Sequence, residues 1–293
     1  MKQNSSKNIH STLGILLCIF WTFTVRAQSN LTTKNSTTKN NAIIEIKEGE
    51  KFKNITPEIY FIQNAKLELG DVRDQKNLDL FKKINSNSKN LGINKDNFWL
   101  NFKLKNFSKK EDWILEFGHP HVKEFKVYEY ANNKLIKEIN TGTYFPLSSK
   151  EIPNKSFLFT TTLKTGEEKE YYLYLKAGTS MILSLNLWEK DEYIVQASIE
   201  NYLYGIYLGI MLVMAFYNVF IFLSVKETTY LYYILYIICF TTMQEAKNGF
   251  AYITHLQNYP GISNNIVPLF IPLAVIFSAL FTRNAQSKID YRC

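Results

Sequence analysis

Three short stretches of this chain set large aromatic rings at a spacing of two residues from amides or further rings. Trp99 is followed by Asn101, Tyr172 by Tyr174, and Asn186 by Trp188. Residues two apart share one face of an extended strand, so each pair would present its groups side by side. Such a surface can hold a sugar, because a ring covers the C–H face of a pyranose while polar neighbours bind its hydroxyls. A second reading stands beside it. Aromatic residues favour strands for packing alone, and a further layer or a partner chain can cover such a face. A slip of one residue in register would exchange the two faces.

Other chemistry is sparse. His119-Pro120-His121 would put two imidazoles on one side of an extended segment, but no Cys or third His lies nearby to complete a metal site. These histidines are therefore read as solvated or packed in a turn. Glu111, Asp112 and Glu116 are candidate glycosidase carboxylates, yet that chemistry needs a separation of about 5 or 9 Å, which nothing in the sequence sets. There is no Gly-rich phosphate loop and no serine nucleophile elbow. The expectation is a protein without catalytic residues, metal or cofactor.

The elements that must position the aromatic pairs read as extended. Alternating apolar residues predict strands over 42–47, 97–107, 112–118, 122–131, 134–140, 155–163, 168–177 and 180–188. Asn132-Asn133 and Lys164-Thr165-Gly166 read as hairpin turns, since Asn and Gly tolerate positive φ. Residues 70–84 read as a short helical interruption in which Leu78, Phe81 and Ile84 share a face. Within the strands, Phe98, Leu100, Phe102 and Leu104 fall on one side, as do Tyr171, Leu173 and Leu175, and then Met181, Leu183, Leu185 and Leu187. These are the predicted core faces. Trp99, Asn101, Tyr172, Tyr174, Asn186 and Trp188 fall on the opposite, wet faces and are the candidate ligand contacts. The pattern predicts an all-β, jelly-roll-like sandwich over residues 42–188.

Behind this region the chain changes solvent. No Asp, Glu, Lys or Arg occurs between Glu200 and Lys226, between Glu227 and Glu245, or between Lys247 and Arg283. A bilayer core of about 30 Å takes roughly 20 apolar residues as a helix. Three membrane spans are predicted, at 202–224, 228–244 and 261–282. A buried soluble helix is the alternative for the shortest of them. Residues 189–201 would link the sandwich to the helices, and 283–293 would form a short cytoplasmic tail. Gly205 and Gly209 make a small-xxx-small step suited to close helix approach, and Asn218 is a polar group at depth that would pair with a neighbouring helix. Pro268 and Pro272 allow a kink in the last span.

Lys2 and Lys7 precede an apolar run from Leu13 to Val25, and Val25-Arg26-Ala27 suits cleavage before Gln28. Residues 1–27 therefore read as a secretory leader, or alternatively an uncleaved anchor, and 28–41 as a polar, flexible lead-in. Export would place the sandwich outside the cytoplasm, and Lys226, Arg283, Lys288 and Arg292 then fall on the inner side. The chain carries a net charge of +8, but residues 28–200 hold 26 basic and 23 acidic side chains. That near balance gives no reason to expect a nucleic-acid partner. The three cysteines lie at 18, 239 and 293, so the exported region would depend on its core rather than on disulfides.

Several motifs in order carry a family likeness. Gly205-Ile-Tyr-Leu-Gly209, Tyr217-Asn218, the run Tyr230-Leu-Tyr-Tyr-Ile-Leu-Tyr236 and Asn248-Gly249 resemble the opening helices of bacterial seven-transmembrane receptors with diverse intracellular signalling modules. Upstream, Phe98-Trp99-Leu100 with Phe102, Trp113-Ile-Leu-Glu116, Val127-Tyr128, Gly142, Phe157, Tyr171-Tyr172-Leu173 and Leu187-Trp188 resemble that family's type 2 extracellular domain. The resemblance implies a periplasmic jelly-roll sensor for carbohydrates or related small molecules, in a bacterial inner-membrane receptor that signals through its helices to a cytoplasmic effector. It also implies seven helices and an effector where this chain offers three spans and residues 284–293, a departure that a truncated gene would explain. The expected partners are a small ligand, the lipid bilayer and a neighbouring helix in an oligomer. A membrane-anchored carbohydrate-binding or adhesion module without output is one alternative, and a carbohydrate-active enzyme, which would need paired carboxylates in a cleft, is the other.

Overall fold

The computed structural model of the chain describes residues 43–63, 67–93, 96–177, 180–254 and 263–290. The leader and lead-in predicted over 1–41 lie outside the described residues. In chain order the first strands are β1 (Ile43–Ile46), β2 (Phe52–Asn54) and β3 (Tyr60–Gln63). A short helix α1 (Leu69–Arg73) and a 3-10 turn (Gln75–Leu80) follow. Then come β4 (Lys82–Lys83), β5 (Lys89–Ile93), β6 (Asn97–Asn106), β7 (Asp112–Phe117), β8 (Val122–Ala131), β9 (Lys134–Thr141), β10 (Phe157–Thr162), β11 (Glu168–Ala177), β12 (Ser180–Leu183) and β13 (Leu185–Glu189). Four helices complete the described chain: α2 (Lys190–Val225), α3 (Thr228–Lys247), α4 (Phe250–Thr254) and α5 (Ser263–Asp290).

The strands form the antiparallel sandwich that the alternation predicts. The larger sheet runs β4-β3-β6-β11-β8-β9, with β1 adding parallel to the end of β6 beyond β3. The facing sheet runs β10-β7-β13-β2, and a ribbon of β12 and β5 stands apart from both. Phe98, Leu100, Phe102 and Leu104 point inward with Leu173, Leu175, Met181, Leu183, Leu185 and Leu187, and all are at most 1% exposed. Trp113, Leu115, Phe117, Phe157 and Phe159 meet them from the smaller sheet. One ion pair is shut inside this core. Lys169 Nζ donates to Glu129 at 2.8 Å, the same carboxylate accepts from Thr161 Oγ1 at 2.9 Å, and Tyr171 lies against both. A charge buried at such depth is tolerated only because it is paired and hydrogen-bonded.

Local rules explain where the prediction and the fold diverge. Asn132 and Asn133 turn at φ 50° and 63° and join β8 to β9 as a true hairpin. Gly166 also turns, at φ 84°, but β10 pairs with β7 while β11 pairs with β6 and β8. Residues 164–166 therefore cross between sheets rather than closing a hairpin. The strand expected over 180–188 breaks at Ser184, so that β12 pairs with β5 and β13 with β7. Phe81 and Ile84 do not share a face. The chain is extended at Lys82–Lys83, which sends residues three apart to opposite sides: Ile84 enters the core and Phe81 packs outside it. Helix α1 exists at five residues because it is capped, with Asp71 accepting from Glu68 N–H and Glu68 accepting in return.

Among the described residues two helices are long and apolar enough to cross a membrane: α2, and Asn265–Ser287 within α5. None of the most apolar stretch of α2 is buried. Leu203, Leu212, Val213, Phe216, Phe220 and Leu223 stand more than half exposed, a surface suited to lipid and not to water. The remaining predicted span forms α3, a 20-residue helix that packs along α5 with Tyr233 and Phe281 rings 5.2 Å apart. The segment expected over 189–201 to be a helix or a link is helical: α2 begins at Lys190, directly after β13 ends at Glu189. Asn218 donates to Met214 O of its own helix at 2.7 Å rather than across to another. A Cβ built on Gly205 or Gly209 would meet nothing within 4 Å, so among the described residues no helix uses that step.

The sandwich grips the turn between α3 and α4. Gly249, at φ +79°, lies where a Cβ would come 2.7 Å from Pro120 Cβ. His121 Nε2 is 3.3 Å from Lys247 O, Tyr252 donates to Phe145 O at 2.6 Å, and Phe250 stacks on Tyr204 of α2 at 3.8 Å. Lys150 reaches into the same place, its ammonium against backbone carbonyls of Asn154 and Ser156 and 5.3 Å from the Tyr252 ring. Burial pushes the Lys150 amine down to about 7. His119 sits nearby with a buried Nε2 that has no hydrogen-bond partner among the described residues. Burial, aided by the charge of His121, lowers its pKa to about 4. A group that binds its proton less readily when folded favours the folded state at high pH, so this support is lost as pH falls from 6.5 to 4. Across that window His119 should cost at most about 3 kcal/mol. Urea titrations of the full chain should show wild type losing up to about 3 kcal/mol relative to His119→Gln as pH falls from 7 to 4. A difference independent of pH would contradict the assignment.

Candidate ligand-binding groove

The six predicted contact residues do not converge. Trp99, Asn101, Tyr172 and Tyr174 lie on the outer face of the larger sheet, whereas Asn186 and Trp188 lie on the outer face of the smaller one. Both faces are largely covered where they stand, with Tyr174, Asn186 and Trp188 only partly exposed. Trp99, Asn101 and Tyr172 are only 3%, 1% and 4% exposed, because the segment carrying α1 folds over them. Leu67, Leu69, Val72 and Phe81 from that segment pack against Trp99, Tyr128, Tyr130 and Tyr172, with Tyr174 at the margin. The Trp99 indole donates to Leu67 O at 3.0 Å, which satisfies its one polar atom under the cover. On the other sheet Trp188 donates to Glu116 at 2.9 Å, Asn186 reaches the same carboxylate at 3.4 Å, and the Trp188 ring packs beside Tyr193 of α2. Trp99, Asn101 and Tyr172 are thus covered, while Tyr174, Asn186 and Trp188 keep partial exposure.

The cover stops short of one end of the larger sheet. There Lys103, Tyr130, Asn132, Asn133, Glu168 and Glu170 line a groove of about 310 Å³, of the size that takes a small ligand. Register brings them together. Lys103 of β6 stands opposite Glu170 of β11, Glu170 stands opposite Tyr130 of β8, and the β8–β9 turn adds the two asparagines. Glu170 Oε1 accepts from Tyr172 OH at 3.1 Å and from Asn101 at 3.2 Å, so the buried residues hold it from beneath. Burial, reinforced by the Glu170 charge, keeps the Tyr172 phenol well above its ordinary range and therefore a donor. Lys103 Nζ lies 3.9 Å from Glu168. The guanidinium of Arg73, at the end of α1, lies 3.9 Å from the centre of the Tyr130 ring and ties the cover to the rim of the groove.

The lining supplies an ammonium donor, two carboxylate acceptors and two amides that can do either. Polyhydroxylated molecules need that mixture. Of the lining residues, the sequence marks only Asn132 and Asn133, as a turn, and none as a ligand contact. Glu168, Glu170 and Arg73 went unmarked. Turn asparagines directly after the alternating Tyr128 and Tyr130 were the available signal. Among the described residues no group of three or more His, Cys, Asp or Glu is placed to hold a metal.

Residues 57–189 match the family described as 7TMR-DISM extracellular 2, and residues 200–291 match 7TM diverse intracellular signalling. The chain belongs to the 7TMR-DISM family. It is thus a membrane sensor with an extracellular domain followed by helices. No curated protein matches this 7TMR-DISM chain. A β-glucosidase from Kluyveromyces marxianus in complex with glucose is 17% identical, covering 47% of this chain and 16% of its own length at a TM-score of 0.26. A family two carbohydrate esterase from Clostridium thermocellum in complex with cellohexaose is 9% identical, covering 45% and 31% at 0.21. CsCBM6-3 from Clostridium stercorarium in complex with cellobiose is 8% identical, covering 36% and 82% at 0.19. Likenesses of that strength carry no argument about fold or ligand.

The buried position of Trp99 has a measurable consequence. Trp99→Ala should destabilise the sandwich of this 7TMR-DISM chain by about 3 to 5 kcal/mol, the usual cost of emptying a large aromatic site. Urea denaturation followed by circular dichroism would measure it, and a loss below 1 kcal/mol would show that the cover is not packed as described.

Proposed function

We propose that this 7TMR-DISM chain is the sensing portion of a bacterial inner-membrane receptor, with the sandwich in the periplasm. Its groove binds a small polyhydroxylated molecule of the carbohydrate class, and binding is passed to the membrane helices. The observation that carries this reading is the convergence of Lys103, Asn132, Asn133, Glu168 and Glu170 on one groove at the uncovered end of an otherwise covered sheet. Side chains of both hydrogen-bonding polarities, held by a rigid lattice of strands, suit an uncharged ligand whose hydroxyls donate and accept. In this reading Asn101 and Tyr172 position Glu170, and Trp99 supports them without touching ligand. The open Gly205–Gly209 step of α2 would seat a helix from a neighbouring chain or segment.

Full chain in lipid nanodiscs, applied to a glycan array and then titrated calorimetrically with the captured sugar, tests the proposal. Lys103→Ala and Glu168→Ala should each weaken binding at least tenfold, whereas Asn186→Ala on the opposite sheet should leave it unchanged. Absence of any captured glycan, or binding that survives both groove substitutions, would refute the assignment.

A further inference from the structure

The groove and the turn gripped by the sandwich lie at opposite ends of one hairpin. Strand β8 begins just after Pro120 and His121 and ends at Ala131, beside Asn132 and Asn133 of the groove. Strand β9 returns from the groove at Lys134 to Thr141, and the chain then reaches Phe145, whose carbonyl accepts from Tyr252. Its ten residues carry β8 about 33 Å, and its eight carry β9 about 26 Å. The hairpin is stiff at its base. Thr143 N–H donates to Val122 O at 2.7 Å, and Gly142 passes so near Lys123 that a Cβ would fall 2.2 Å from its carbonyl oxygen. At that base His121 meets Lys247 O, Pro120 meets Gly249, and Phe250 stacks on Tyr204. Helices α3 and α4 and the turn between them thus meet the base at one place, and α2 joins them through Tyr204.

We infer that the β8–β9 hairpin is the element that carries a change at the groove to the membrane helices, acting through the α3–α4 turn. This rests on the reading of the groove as a sensing site and names the route by which that site acts. A ligand drawing Asn132 and Asn133 toward Glu168 would displace the tip. The hairpin is closed at both ends by backbone hydrogen bonds, and β8 is also paired with β11 along its length. Beyond what the irregularity at Glu129–Tyr130 takes up, the displacement therefore reaches His121 and Phe145 as a shift of that edge of the sheet. The Lys247 carbonyl and the Tyr252 hydroxyl receive it, and the Phe250–Tyr204 stack hands it to α2. The competing route is the covalent one, from β13 into α2.

The test replaces the unknown ligand with a chemical bridge. In full chain whose native cysteines are changed to alanine, Asn133→Cys and Glu168→Cys are joined across the groove by a short bis-maleimide, in lipid nanodiscs, and amide exchange is read by mass spectrometry. Asn132→Cys with Lys103→Cys provides a second pair. Bridging should change exchange at residues 248–252 by threefold or more. That change should vanish when His121→Ala and Tyr252→Phe are combined, since together they remove both polar grips on the turn. Unchanged exchange at 248–252, a change that persists in the combined variant, or one confined to residues 190–197 would overturn the inference. No glycan enters this measurement, so it can fail or succeed independently of the groove's ligand.

Discussion

Strand β13 becomes helix α2 with no residue between them, and every larger feature of the molecule has to accommodate that joint. A flexible link would let the sandwich and the helices choose their geometry separately. Here the last residues of the strand and the first turns of the helix are fixed by the same contacts. Trp188 is anchored to Glu116 and packs against Tyr193, and Ile114 and Leu158 complete that apolar patch. Asp191 and Glu192 sit in the first turn of α2, where acidic groups complement the helix dipole. Exposed pairs such as Lys51–Glu192 add only a little. The apolar exterior of α2 then forces the sandwich to stand at the edge of whatever lipid receives that helix.

Layering accounts for where a ligand can go. The smaller sheet has its outer face taken up by the start of α2, and the larger sheet has most of its outer face closed by the segment around α1. What is left uncovered is the end bearing Lys103, Glu168, Glu170 and the β8–β9 turn. The site is polar because covering took the aromatic part of the same face. Tyr130 stands at the boundary, with Arg73 on its ring and the groove beside it.

Periodicity made the sandwich legible. Phe98 to Leu104 and Met181 to Leu187 declare their inward faces through alternation alone, and β8 and β11 begin and end where the pattern does. The outer faces were legible only as surfaces, because what covers Trp99 comes from residues 67–81, about 20 to 30 positions away and without strong periodicity of their own. Asn218 was legible as a polar residue at depth, but its partner proved to be the carbonyl one turn earlier. The groove depends on pairing register, which sets Lys103 opposite Glu170 and Glu170 opposite Tyr130. No single strand contains that information. The grip on Gly249 was invisible for the same reason, since Pro120 and Gly249 are joined only by the three-dimensional path of the chain.

The most direct test of this account is the rigidity of the joint between the sandwich and the first membrane helix. Nitroxide labels at Thr162 on β10 and Ser198 on α2, in full chain free of native cysteines and reconstituted in lipid, give a distance distribution by pulsed electron resonance. A strand running unbroken into a docked helix predicts one narrow peak. A broad distribution, or two populations of comparable weight, would contradict it.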